Sequence, residues 1–142
     1  MPDSAELETL CQQLAQALQQ RGWMMATAES CTGGLIAAAC TDLSGSSVWF
    51  ERGFVTYSNL AKQQMLGVPE SLLIAHGAVS EPVAVAMAQG AVQHSAAQVA
   101  LSVTGIAGPS GGTADKPVGT VWFGWQVAGR TFGEHHLLAG DR

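Results

Sequence analysis

Trp23-Met24-Met25-Ala26-Thr27-Ala28-Glu29-Ser30-Cys31-Thr32-Gly33-Gly34-Leu35-Ile36-Ala37-Ala38-Ala39-Cys40-Thr41 is the stretch that decides how this chain folds. Residues 23–28 form a short apolar run behind Gly22, the pattern of a buried strand. Residues 34–41 are apolar and alanine-rich, which predicts a helix lying close to a sheet. A strand feeding a helix through a compact polar loop is the opening of an α/β unit. The loop carries Ser30, Cys31 and Thr32 where unpaired helix N–H groups favour an anion or a developing oxyanion. Read without the rest of the chain, the same residues are a capped turn with Ser30 or Thr32 as N-cap.

The pattern continues outward in both directions. Before the strand, Leu7, Leu10, Cys11, Leu14 and Leu18 form a helical stripe over residues 4–20, ended by Arg21-Gly22. After the second helix, residues 48–58 read as a strand or strand pair. Asn59 is the expected N-cap of a helix through Leu66, stopped by Gly67 and Pro69. Residues 69–76 and 83–95 are two more helices, the latter capped at Ser80 with Pro82 in its first turn. Residues 98–104 are a second buried strand, and residues 118–127 and 131–138 form a hairpin through Ala128-Gly129-Arg130. Alternating helices and strands ending in a hairpin predict a layered α/β domain with an antiparallel edge, spanning residues 1–142 as one domain.

Composition narrows the function classes. Of 142 residues, 47% are hydrophobic and 12% charged, so the chain has ample material for a core. The net charge is −5 with six scattered Lys and Arg, which argues against a nucleic-acid partner. No apolar run reaches the roughly 18 residues of a membrane span, and no signal-like N-terminus is present. Three cysteines without metal spacing fit a reducing cytoplasm. The small share of polar surface predicts a homo-oligomer, with a dimer favoured.

Two loops rich in Gly, Ser and Thr follow buried strands, residues 30–34 and 105–112, and in an open α/β sheet such loops converge on one crevice. The spacing of Gly105, Gly108, Gly111 and Gly112 matches neither a dinucleotide fingerprint nor a P-loop. Lys62 follows Tyr57 by five positions. A lysine packed beneath glycine-rich loops loses hydration and can take a proton from a hydroxyl, with Tyr57 orienting it. A solvated helix lysine is the plainer alternative. Glu29 is read either as a partner or base beside Lys62 or as a helix-start charge. Cys31 is an alternative nucleophile or a packing residue. The four histidines do not assemble into a triad or a zinc site.

Four segments together resemble one family: Thr27-Ala28-Glu29-Ser30-Cys31-Thr32-Gly33-Gly34, residues 49–59 from Trp49 to Asn59, Gly77-Ala78-Val79-Ser80-Glu81-Pro82-Val83, and residues 104–112 from Thr104 to Gly112. The chain closely resembles the CinA C-terminal domain family and its stand-alone nicotinamide-nucleotide amidohydrolase branch. Residues 116–122 and Gly140-Asp141-Arg142 extend the match. The resemblance implies a three-layer α/β/α sandwich with a mixed sheet. It also implies hydrolysis of nicotinamide mononucleotide to nicotinate mononucleotide and ammonia in pyridine-nucleotide salvage, without metal or cofactor. By the same resemblance Ser30 falls on the nucleophile, Lys62 on its base and Tyr57 on the supporting tyrosine. Thr104 and Gly105, with Gly108, Gly111 and Gly112, fall where substrate is held.

In the mechanism this implies, N–H groups at Thr32, Gly33 and Gly34 stabilise the oxyanion, and Lys116 or Arg142 faces the substrate phosphate. A non-catalytic nucleotide-binding or protein-interaction module is the alternative. Relatives continue past Gly-Asp-Arg into a final helix, so a chain ending at Arg142 is expected to leave part of one sheet face uncovered. The larger relatives' pyrophosphatase-like domain has no counterpart in residues 1–142, and its activity is not carried over.

Overall fold

The computed structural model describes residues 3–140. Five strands form one mixed sheet in the order β2-β1-β3-β4-β5, where β1 is Met25–Glu29, β2 Phe50–Val55, β3 Val99–Gly105, β4 Thr120–Val127 and β5 Arg130–Leu137. β1 runs parallel to both β2 and β3, while β3–β4 and β4–β5 are antiparallel. The helices are α1 (Ser4–Arg21), α2 (Leu35–Thr41), α3 (Asn59–Leu66), α4 (Glu70–His76) and α5 (Glu81–Gln93). This is the α/β class with the mixed sheet that the sequence predicts.

The two faces of the sheet carry separate cores. On one, Ala26, Ala28 and Ala100 meet Val83, Met87 and Ala91 of α5 together with Leu66 and Leu73 of α3 and α4. On the other, Met25 and Val99 meet Ala15 and Leu18 of α1, Cys40 of α2 and the buried Trp49. The alanines of β1 let helices approach the sheet closely, and the same argument reaches its limit at two glycines. A Cβ on Gly124 of β4 would overlap the Ala84 carbonyl of α5, and one on Gly90 of α5 would overlap the Leu66 carbonyl of α3.

Several local expectations are corrected. Residues 48–58 contain a single strand, Phe50–Val55, preceded by one 3-10 turn at Ser46–Val48. Burial of Trp49 and its carbonyl's bond to Met25 N–H (2.7 Å) fix where that strand begins. The cap of α3 is Ser58, not Asn59, because the Ser58 hydroxyl accepts from Ala61 N–H at 3.0 Å. The hairpin is joined by Ala128 and Gly129, both at positive φ, as a tight two-residue turn requires. No helix among the described residues is long and apolar enough to cross a membrane.

Candidate active site

β1, β2 and β3 are parallel, and their carboxyl ends lie side by side because Glu29 is in register with both Val55 and Val103. From β1 the chain goes first to one side and later to the other, so the end of β1 is the switch point of the sheet, where α/β folds open a crevice. Two hydrogen bonds extend the ladders past the strands: Ser30 N–H to Val103 O (3.0 Å) and Thr56 N–H to Glu29 O (2.8 Å). The three connecting loops are thereby locked together. Between them lies a cavity of about 220 Å³, lined by Ser30, Cys31, Tyr57, Asn59, Lys62, Ala78, Val79, Thr104 and Gly105.

Lys62 is only 1% exposed although it sits on the first turns of α3. Its Nζ donates to the backbone carbonyl of Tyr57 at 3.1 Å. Ser30 Oγ donates to the same carbonyl oxygen at 3.4 Å. The hydroxyl and the amine therefore meet at one acceptor rather than bonding to each other. No carboxylate pairs with this lysine among the described residues, and burial holds its pKa below the ordinary 10.5, with nearby Cys31 opposing that shift.

Tyr57 thus takes part through its main chain. The residue is 63% exposed, and its phenol makes no hydrogen bond to Lys62 although Tyr57 lines the cavity. Thr104 is buried and donates to Ala78 O at 3.0 Å, tying β3 to the segment ahead of α5. A Cβ at Gly105 would stand 2.9 Å from Thr120 O and 3.3 Å from Cys31 Sγ, so this end of β3 has no room for a side chain.

Other expected residues are not brought to the cavity. Gly111 and Gly112 are exposed, and Gly108 is buried outside the lining. Lys116 Nζ donates to His76 O at 2.7 Å, at the C-terminal end of α4. Arg142 lies outside the described residues. Thr32, Gly33 and Gly34 form the turn that leads into α2, with Gly33 and Gly34 at φ +60° and +108°, backbone values that favour glycine. Neither Ser30 nor Thr32 caps α2. The buried carboxylate of Glu29 does so from outside the helix, accepting from Ile36 N–H at 3.0 Å and Ala37 N–H at 2.9 Å. Glu29 therefore does not pair Lys62, and the foremost N–H groups of α2 are closed to a substrate anion.

Asn59, Ala78 and Val79 line the cavity without having been singled out from the sequence as site residues. Asn59 follows the Ser58 cap directly, and Ala78-Val79 belong to the segment that carries the resemblance; those positions are the only sequence signal they have. Cys11 and Cys40 are packed between helices, and burial pushes the Cys40 thiol up to about 12. Cys31, half-buried beside Ser30, is the thiol that faces the cavity. No group of three or more His, Cys, Asp or Glu side chains is placed to hold a metal ion among the described residues.

Residues 7–142 match the CinA C-terminal domain. The chain belongs to that family. It is 57% identical over 143 residues to nicotinamide-nucleotide amidohydrolase PncC of Escherichia coli K12, covering the whole chain and 86% of that protein. It is 56% identical over 137 residues to the PncC protein of Enterobacter agglomerans, covering 96% of the chain and 84% of the relative. Among solved structures, a CinA superfamily protein from Escherichia coli superposes with a TM-score of 0.93 at 38% identity, covering 99% of this chain and 82% of that one. Family membership and fold thus agree across sequence and structure.

Proposed function

We propose that this CinA-family chain is a nicotinamide-nucleotide amidohydrolase, converting nicotinamide mononucleotide to nicotinate mononucleotide and ammonia by acyl transfer on Ser30. The observation that carries this reading is the meeting of a serine hydroxyl and a buried lysine amine at one carbonyl oxygen, inside the crevice at the end of β1. The likeness to PncC proteins supports the substrate. A lysine held in bulk water would fit a binding module better; this one is enclosed.

Lys62 in its neutral form accepts the Ser30 proton as Oγ bonds to the carboxamide carbon. The proton then passes to the amide nitrogen, the C–N bond breaks, and ammonia leaves. Water, deprotonated by the same amine, cleaves the ester and returns the proton to Ser30. The oxyanion falls to loop N–H groups ahead of α2, of which that of Gly33 is already engaged by Ser30 O. Losing one oxyanion donor raises a barrier by about 3 kcal/mol. The cavity is smaller than the roughly 300–1,000 Å³ that encloses a whole ligand. Only the reacting end of the substrate is therefore enclosed, and the ribose phosphate lies outward, along residues 105–112.

Ser30→Ala is expected to abolish ammonia release in a coupled assay on nicotinamide mononucleotide while the melting temperature stays near wild type. Cys31→Ala keeps its activity on this reading. An active Ser30→Ala with an inactive Cys31→Ala would move the nucleophile to the thiol.

The depressed pKa of Lys62 has a sign in both rate and stability. kcat/KM rises with pH as the amine loses its proton and levels off below the pH at which a free lysine would titrate. Between the lowered native pKa and 10.5, the unfolded chain binds a proton that the native chain does not, so stability rises with pH across that window. Denaturant titrations at several pH values measure this slope, and Lys62→Met removes the part of it due to this lysine.

A further inference from the structure

Glu29 is 1% exposed and makes three contacts with its carboxylate: Thr32 Oγ1 at 2.6 Å and Ile36 N–H at 3.0 Å on Oε1, and Ala37 N–H at 2.9 Å on Oε2. Its backbone is equally engaged, since Glu29 O accepts from Thr56 N–H at 2.8 Å and Thr56 Oγ1 at 3.4 Å. The residue thus joins the end of β1, the loop after it, the start of α2 and the start of the segment leading to Tyr57. Ser30 is its immediate neighbour. We propose that Glu29 is a positioning residue for Ser30, acting through Thr32 and the first turn of α2, a role that rests on the serine–lysine reading above.

The loop needs such a tie. Two successive glycines at positive φ give residues 33–34 wide conformational freedom, and nothing in their own side chains fixes where Ser30 points. The short Thr32–Glu29 hydrogen bond closes residues 29–32 into a ring, and the two N–H contacts anchor that ring to the helix. A buried carboxylate accepting charge-assisted hydrogen bonds at a helix N-terminus is held firmly, because the helix dipole and its donors both favour the anion. The site gains a hydroxyl held in one place before substrate arrives. The same contacts also fill the position at α2 where a substrate phosphate would otherwise compete. Misplacement of a reacting group by about 1 Å is enough to cost on the order of a hundredfold in rate.

Thr32 gives the cleanest test because its own side chain is absent from the cavity lining. Thr32→Val, which keeps shape and loses the hydroxyl, is expected to lower kcat about tenfold with KM for nicotinamide mononucleotide unchanged within about twofold. Thr32→Ser, which restores the hydroxyl, is expected to recover kcat to within about twofold. Glu29→Gln, which turns an N–H₂ toward one set of donors, is expected to lower kcat about a hundredfold per folded molecule. A Thr32→Val protein with wild-type kcat, a Thr32→Ser protein as slow as Thr32→Val, or a loss confined to KM would each overturn the positioning role. Ser30→Ala separates the two readings: if it still turns over, the serine mechanism falls and this role with it. If it is dead while Thr32→Val is fully active, only the role of Glu29 is lost.

Discussion

Lys62→Met is expected to reduce ammonia release from nicotinamide mononucleotide by about a thousandfold or more while leaving the protein at least as stable as wild type. The rate loss follows from removing the amine that lines the cavity with Ser30, since a positioned general base contributes about 10²–10⁴-fold and here serves both the attack and the departure. The stability result follows from burial. A lysine at 1% exposure, with a carbonyl as its acceptor and no carboxylate beside it, is costly to enclose in its charged form. Methionine fills a similar volume without that cost. Lys62→Arg should not restore the rate, because a guanidinium stays protonated and cannot serve as the base. A Lys62→Met protein with wild-type turnover would remove the lysine from the mechanism.

Gly90→Ala is expected to destabilise the fold by about 3 kcal/mol or more, lowering the melting temperature by about 10 °C. Helix propensity points the other way, since alanine in a helix interior is favoured over glycine by about 1 kcal/mol. The contact decides the sign. The new Cβ would overlap the carbonyl of Leu66, and a backbone atom cannot rotate aside as a flexible side chain can. Leu66 lies on α3, one turn beyond Lys62, so pushing α3 away from α5 also moves the amine from the cavity. Activity should fall together with stability, and calorimetry with the ammonia assay reads both. A Gly90→Ala protein as stable as wild type would show that α3 and α5 have slack between them.

The site was partly legible for a plain reason. Loops after buried strands are marked by abrupt changes in composition, and the opening run to Gly34 and the run after Thr104 both show one. Their convergence follows from the parallel pairing of β1 with β2 and β3. Ser30, Lys62, Thr104 and Gly105 were singled out as residues and all reach the cavity. Tyr57 also lines the cavity, and the carbonyl it adds there was not legible, because backbone groups carry no mark in a sequence. Glu29 is expected as a partner of Lys62 because it adjoins Ser30 in the motif. The ladder past β1 instead turns its carboxylate toward α2.

The class of fold, the order of its elements and the positions of the two polar loops are legible along the chain, because hydrophobic periodicity and glycine punctuation are local properties. Packing in three dimensions settles that Lys62 is enclosed rather than hydrated, that one carbonyl serves both it and Ser30, and that Glu29 fills the start of α2. Each depends on groups from separate segments sharing a few ångströms of space, and the free energy of enclosing a charge or satisfying a buried donor is set by that surrounding, not by neighbours along the chain.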